Sequence, residues 1–268
     1  MPISPPRYLI ILGLIFAAAG FCAVRFPDAP GAGVSSLIST LLIALPTLVA
    51  FWRFISAGIA VLSFAALSAV GFAVEITGIA TGFPYGEFYY GANLGPKLAG
   101  IVPYALPFSW APLVLGAVAA TKPAVPETLV RRLLWVLMAA VLLIAIDGVL
   151  DPGAIRLGLW VWPGGGAYYG IPLSNYVGWL LSSTLAAALV LVLGNWWKHA
   201  PPAPGLLDSC IVALAFWTAV TLSAKLSLPP LLGGVLIACL LIRRRRLSAL
   251  ENHFHTRRQV QGRIPSPR

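Results

Sequence analysis

Long apolar runs separated by short polar, proline-rich or glycine-rich segments extend along almost the whole chain. A helix needs about 20 mostly apolar residues to cross a bilayer, and proline, glycine and charged residues mark where such runs end. The pattern predicts about eight membrane-spanning helices, with seven as the alternative count because the last run is short and contains Pro229-Pro230. The predicted spans are 8–24, 34–52, 55–76, 101–120, 133–150, 171–193, 206–223 and 228–242. We therefore expect an all-α polytopic membrane protein.

Composition supports this fold class. Of the 268 residues, 59% are hydrophobic and 10% are charged, whereas a soluble domain carries about 25% charged residues. The mean hydropathy is +0.89, and a water-soluble fold could not bury that much apolar surface. We expect residues 1–242 to form a single transmembrane helical domain and the basic residues 243–268 to form a flexible cytoplasmic tail. The first run also resembles a secretory signal, but Phe21 is too large for a residue near a cleavage site, which favours a first span.

The basic residues predict how the chain is oriented. With eight spans both termini lie on one side, and that side holds 14 of the 18 Lys and Arg residues. Because cytoplasmic loops are enriched in Lys and Arg, we expect both termini to be cytoplasmic and loops 77–100 and 151–170 to share the outer side. The net charge of +10 then reflects topology in the cytoplasmic (inner) membrane of the cell, with the bilayer and not nucleic acid as its partner.

Aromatic residues concentrate in two windows, 83–110 and 160–179. Together these windows hold 14 of the 29 aromatic residues and seven of the eight Tyr. An interfacial belt of Trp and Tyr is one explanation, but a belt would spread over both membrane faces. Crowding on two loops of one side instead favours a binding site. The candidate substrate-binding residues are Tyr85, Tyr89, Tyr90, Trp160, Trp162, Tyr168, Tyr169, Asn175 and Trp179.

Half of the eight carboxylates lie in or beside these loops, namely Glu75, Glu87, Asp147 and Asp151. Asp147 and Asp151 are four residues apart, so they share one face of a helix. Ionisable groups in spans are costly and point to function, although structural pairing with Arg156 or Lys97, or helix capping, is the alternative. The candidate catalytic residues are Asp147 or Asp151 as proton donor, with Glu87 and Glu75 positioning water.

Carboxyl groups between aromatic walls suit one type of reaction. A carboxyl group in an apolar site can act as a general acid near neutral pH, and aromatic faces stabilise a passing carbocation. The sequence has no histidine boxes, no GxGxxG motif and no P-loop, so we expect neither a cofactor nor a metal. This combination favours addition of water to an electron-rich C=C bond in a lipid-soluble substrate.

Two sequence blocks resemble a known family. The first contains TGFPYGEFYY at 81–90, LGPKL at 94–98 and VP at 102–103. The second contains DP at 151–152, GxWxW at 158–162 and YYGIPLSNYxGW at 168–179. Both resemble the integral-membrane carotenoid hydratases, the carotenoid biosynthesis proteins of the bisanhydrobacterioruberin hydratase and gamma-carotene 1′-hydratase type. The similarity covers about residues 75–179, and the outer spans match only in hydropathy.

The resemblance implies hydration of the terminal double bond of an acyclic (ψ) carotenoid end group, which gives a tertiary alcohol. It implies a multi-pass, cofactor-independent hydro-lyase, with the acyclic carotenoid as substrate and other carotenoid-pathway enzymes as candidate partners.

Two alternatives remain open. In a membrane prenyltransferase, Asp147 and Asp151 would hold Mg²⁺ and a diphosphate, but the sequence lacks a second Asp-rich motif. In a non-enzymatic carrier of carotenoid or small solute, charges at the membrane midplane would be expected, whereas these acids lie at one membrane end.

Overall fold

The computed structural model describes residues 5–27, 29–123, 128–194 and 201–261. These residues form eight α-helices. In chain order they are α1 (Arg7–Arg25), α2 (Ala32–Phe54), α3 (Ala57–Thr81), α4 (Leu106–Thr121), α5 (Leu129–Arg156), α6 (Leu173–Leu193), α7 (Asp208–Ser223) and α8 (Leu228–Gln261). Six segments are long and apolar enough to cross a membrane: α1, α2, α3, α5, α6 and Pro204–Ser223, which adds a short helical turn to α7. The all-α polytopic membrane fold is therefore confirmed.

Four short strands lie in the loops at one end of the bundle. Strand β1 (Tyr89–Tyr90) pairs antiparallel with β4 (Trp160–Val161), and Tyr90 lies opposite Trp160. Strand β2 (Lys97–Leu98) pairs with β3 (Val102–Pro103). The β1–β4 ribbon joins the loop after α3 to the loop after α5. The two aromatic-rich loops therefore meet at one end, which we call the loop end.

Helices α4 and α5 have boundaries that differ from those predicted from the sequence. Helix α4 begins at Leu106 and not at residue 101, because Val102 and Pro103 pair with β2. Helix α5 begins four residues before its predicted span and continues to Arg156, with Pro152 inside it. The side chain of Thr128 caps its start by accepting a hydrogen bond from the Arg131 N–H (3.3 Å).

The eighth helix is longer than its apolar run. Its two prolines occupy the first turn, where a missing backbone N–H costs little, and the helix continues to Gln261. The apolar run alone therefore underestimates the length of this helix. The division into a transmembrane domain (1–242) and a flexible tail (243–268) stays a prediction, and residues 262–268 lie outside the described residues.

Helix α4 lies at the centre of the bundle, with residues 110–119 all buried. Close helix contacts surround it: a methyl group at Gly116 would collide with the sulfur of Cys210 on α7. Large apolar side chains on the outer helices are exposed, including Leu14 (67%) and Leu133 (62%), as expected of lipid-facing surfaces. The apolar core thus holds the helices that carry the site.

A buried polar cluster ties three helices together at the end opposite the loops. Arg244 of α8 donates to both carboxylate oxygens of Asp208 (2.6 and 3.2 Å). The Tyr8 hydroxyl donates to Asp208 (2.5 Å) and accepts from Arg244 (3.1 Å). Because Asp208 is paired in this way, its buried charge is compensated. This cluster anchors α1, α7 and α8 far from the loop end.

Candidate active site

Two carboxyl groups lie side by side on α5 near the loop end. Asp147 and Asp151 are one turn apart and almost fully buried, with 1% and 3% exposed. The amide nitrogen of Asn175, on the first turn of α6, donates to Asp147 (3.2 Å) and to Asp151 (2.6 Å). Because both carboxyl groups accept from the same nitrogen atom, they lie next to each other. We call Asp147, Asp151 and Asn175 the carboxyl cluster.

The two carboxyl groups of this cluster accept different numbers of hydrogen bonds. The indole N–H of Trp160, in β4, donates to the second oxygen of Asp151 (3.0 Å). No N–H group or hydroxyl among the described residues donates to Oδ1 of Asp147. Within the same residues, no Lys or Arg contacts either carboxyl group, so the alternative of structural pairing with Arg156 or Lys97 finds no ion pair in this part of the chain. The cluster therefore holds two neighbouring acids to which the described residues bring no neutralising cation.

A third carboxyl group stands nearby on α3. Glu75 accepts a hydrogen bond from the Tyr90 hydroxyl (2.8 Å). Burial and the neighbouring carboxylate raise the pKa of Tyr90 well above 10, so it stays a donor. The rings of Tyr90 and Trp160 meet edge to face with centroids 6.1 Å apart. Because these two residues are paired in the β1–β4 ribbon, one ribbon aims one donor at Glu75 and another at Asp151.

A cavity of about 580 Å³ opens beside these acids. Asp151, Glu75 and Asn175 line it, whereas Asp147 lies behind Asp151 and does not. Most of the remaining wall is apolar or aromatic. The aromatic lining residues are Tyr85, Phe88, Tyr90, Trp110, Trp160, Trp162, Trp179, Phe216 and Trp217, with Phe26 at the edge. The cavity is thus an apolar chamber with acid groups on one wall.

Packing between aromatic rings holds one wall of the cavity in place. Phe88 meets Tyr85 edge to face (6.0 Å) and lies 5.8 Å from Trp162. The Trp162 indole N–H donates to the Tyr85 carbonyl oxygen (3.1 Å). Gly178 on α6 leaves room for Tyr85, because a Cβ there would overlap its ring. The two sequence blocks therefore pack directly against each other.

Besides Asp147, four candidate residues do not line the cavity. Glu87 is exposed, and Tyr89 is 52% exposed. The Tyr168 hydroxyl donates to the Gly148 carbonyl oxygen (3.0 Å), and the Tyr169 hydroxyl lies 3.0 Å from that of Ser227. Their positions indicate that Tyr168 supports α5 and that Tyr169 ties its loop to the start of α8.

Sequence reasoning missed five aromatic lining residues. Phe88 and Trp110 lie inside the aromatic-rich window 83–110, which could have pointed to them. No sequence pattern distinguished the other three, Phe26, Phe216 and Trp217, from ordinary apolar residues. The ring of Trp217 lies 6.4 Å from that of Trp160. A row of hydroxyl residues on α2 was also missed (Ser35, Ser36, Ser39 and Thr40), although its helical spacing was visible.

Comparisons with known proteins cover the part of the chain that forms the carboxyl cluster. The family model described as "Carotenoid biosynthesis protein" matches residues 31–240, which include both loops and every residue of the carboxyl cluster. The chain is 32% identical over 191 residues to bisanhydrobacterioruberin hydratase of Haloarcula japonica. The alignment covers 69% of this chain and 64% of that relative, so the chain spans slightly less than two thirds of its length. No solved structure matches the chain. Since the family model covers most of the sequence, the chain belongs to the carotenoid biosynthesis protein family.

Proposed function

We propose that the protein is a carotenoid hydratase, a cofactor-independent hydro-lyase that converts the terminal C=C bond of an acyclic (ψ) end group into a tertiary alcohol. The observation that carries the proposal is a carboxyl cluster that no Lys or Arg of the described residues contacts, on the wall of an aromatic cavity. Membership of the family, and a relative named as a hydratase, support the same activity.

Asp151 is the proton donor in this mechanism because it lines the cavity and Asp147 does not. Two like charges this close are unfavourable in a buried site, so the pair holds one proton. The π electrons of the terminal C=C bond take that proton and form a C–H bond at the less substituted carbon. The carbon that carries the two methyl groups becomes a tertiary cation, and the Asp pair, now without its proton, carries one more negative charge.

The hydrogen bonds to Asp151 stabilise this charge as it develops. Asn175 and the indole of Trp160 both donate to the carboxyl group, and donors already in place cost no reorganisation during the reaction. The cation meanwhile faces indole and phenol rings, among them Trp160 and Trp217. Cation–π attraction contributes about 2 kcal/mol or more in a desolvated site.

Water then captures the cation. Its oxygen forms the C–O bond, and one of its two protons passes to the deprotonated Asp pair, which restores the singly protonated starting state. Glu75 lines the same cavity and holds the Tyr90 hydroxyl, so we assign it to positioning this water. Glu87 is exposed and does not line the cavity, so our proposal assigns it no role.

We also propose that the protein lies in the cytoplasmic membrane with both termini inside and the loop end outside. The distribution of Lys and Arg supports this orientation. Reporter fusions after residues 90 and 268 should report opposite sides of the membrane. A residue-268 reporter on the outer side with the residue-90 reporter inside would reverse the assignment. Both reporters on the same side would refute it.

Expression in a strain that accumulates lycopene tests the activity. We expect hydroxylated pigments from the wild-type chain and none from Asp151→Asn at equal protein abundance in the membrane. Absence of hydroxylated product from lycopene and from other acyclic carotenoids would contradict the proposal. If the protein instead retained unmodified pigment, a carrier would be the better explanation.

A further inference from the structure

The cavity has one side where its lining residues are exposed. On and just after α1, and on α2, the lining residues Cys22, Phe26 and Ser35 are exposed. On α3, α5, α6 and α7 no described lining residue is exposed, as at Asn175 (2%), whereas Ser109 on α4 is. The cavity therefore opens between α1 and α2.

The same two helices are both tied to α7 at the end opposite the loops. There, Tyr8 of α1 bonds to Asp208 at the start of α7. Thr47 of α2 accepts from the Ser209 N–H (3.1 Å) on the same turn of α7. At the loop end only the six residues between α1 and α2 connect them. Since α1 packs along α7 and α2 packs against α4, with few contacts between α1 and α2, the two helices leave a gap between these ends.

This gap lies at the depth of the hydrocarbon core. On α2 the cavity wall extends to Ile43, eleven residues into the helix, which is about 17 Å at 1.5 Å per residue. The residues beside the gap face outward and are apolar: Phe21 is 57% exposed on α1 and Ile38 is 50% exposed on α2. An opening with such edges faces lipid and not water.

The size of the cavity shows what must pass through the opening. Pockets of about 300–1,000 Å³ enclose a drug-sized ligand, and this cavity measures about 580 Å³. A fully extended carotenoid polyene is longer than the roughly 17 Å of cavity wall along α2, so its reacting end can lie inside only if the remaining chain leaves through an apolar gap. We propose that the α1–α2 gap is a lateral portal through which the end of a lipid-dissolved polyene enters from the bilayer. This inference rests on the proposed hydration for the identity of the occupant.

Matched tryptophan variants test the portal in full-length protein in lipid nanodiscs. Cys22→Trp and Ser39→Trp put a bulky ring on the cavity side of each helix, and the controls Phe21→Trp and Ile38→Trp put the same ring on the neighbouring lipid-facing position. We expect lycopene binding, measured from retained pigment absorbance, to weaken at least about tenfold in the first two variants, about 1.4 kcal/mol of binding free energy. Binding in both controls should equal that of the wild type.

A second readout separates the portal from the chemistry. Geranylacetone has the same terminal isopropylidene group and is short enough to lie inside the cavity, so its hydration should persist in the variants that block lycopene. Lycopene binding unchanged in both cavity-side variants would overturn the portal, whether or not the wild type hydrates it. Blocked binding together with no hydration of either compound by the wild type would overturn the proposed function alone.

Alkylation of the folded protein provides a check in which no bulky residue is present while the chain folds. Cys22 is exposed beside the cavity, Cys210 is buried and Cys239 is exposed on α8. In a Cys239→Ser background, a bulky maleimide should block lycopene binding, and additional Cys22→Ala should make the protein resistant. Full binding after complete labelling of Cys22 would contradict the portal.

Discussion

Replacing Trp160 by Phe removes one hydrogen bond from Asp151 and leaves an aromatic ring in the cavity wall. The indole N–H lies 3.0 Å from Oδ1 of Asp151, and the ring packs between Tyr90 and Trp217. Phe keeps most of that packing but cannot donate. The variant therefore isolates the contribution of a single donor to the charge that develops on Asp151 when it gives up its proton.

The size of the effect follows from that one bond. A hydrogen bond to a charged group contributes about 1.5–3 kcal/mol, and about 1.4 kcal/mol of barrier changes a rate tenfold, so kcat should fall by roughly 10- to 150-fold. KM should change little, because the apolar surface offered to the substrate is almost unchanged. This pattern identifies an interaction that is stronger in the transition state than in the bound substrate.

The assay is the initial rate of product formation by purified protein in nanodiscs, with Trp135→Phe as the matched control. Trp135 also donates a buried indole hydrogen bond, to the Val118 carbonyl oxygen (2.8 Å), but it does not line the cavity. The control should lose about 0.5–1.5 kcal/mol of stability and keep its kcat. A Trp160→Phe enzyme with the kcat of the wild type would refute the role of this donor, and so would an equal loss in both variants.

Three further predictions concern other parts of the site. Asp151→Asn should abolish hydration while the protein still inserts and keeps its helical circular dichroism; residual activity close to that of the wild type would make the cluster structural. Glu75→Gln should lower kcat and its matched partner Glu87→Gln should not, since only the first lines the cavity; the opposite ranking in a rate assay would exchange their roles. Gly178→Ala should lower the free energy of unfolding by about 1–3 kcal/mol, because the new methyl overlaps the ring of Tyr85; an unchanged melting temperature would show that the ring moves freely.

Hydrophobic runs predicted the helices because each span must satisfy its own backbone within lipid. They did not predict where α4 starts, since the pairing of Val102 and Pro103 with β2 depends on a hairpin that apolar composition does not reveal. They also stopped α8 at residue 242, because a helix that leaves the membrane continues with polar residues and loses its hydropathy signal. Hydropathy thus locates spans better than it locates helix ends.

The carboxyl pair could be anticipated because residues four apart on a helix share a face, and Asp147 and Asp151 do meet. Glu75 and Glu87 could not be ranked in advance, since both flank the same loop and only the folded chain turns one inward. Trp217 could not be found at all. Its contact with Trp160 depends on the packing of α7 against α5, where Gly153 leaves little space beneath the indole ring.

The central claim is that a buried carboxyl group protonates the polyene and that water supplies the hydroxyl group. Its most direct test is mass spectrometry of the product formed by purified protein from lycopene in ¹⁸O-labelled water, without oxygen or added cofactor. We predict one ¹⁸O atom in each new tertiary hydroxyl group, and no such product from Asp151→Asn. Product without ¹⁸O, or labelled product formed equally well by Asp151→Asn, would contradict it.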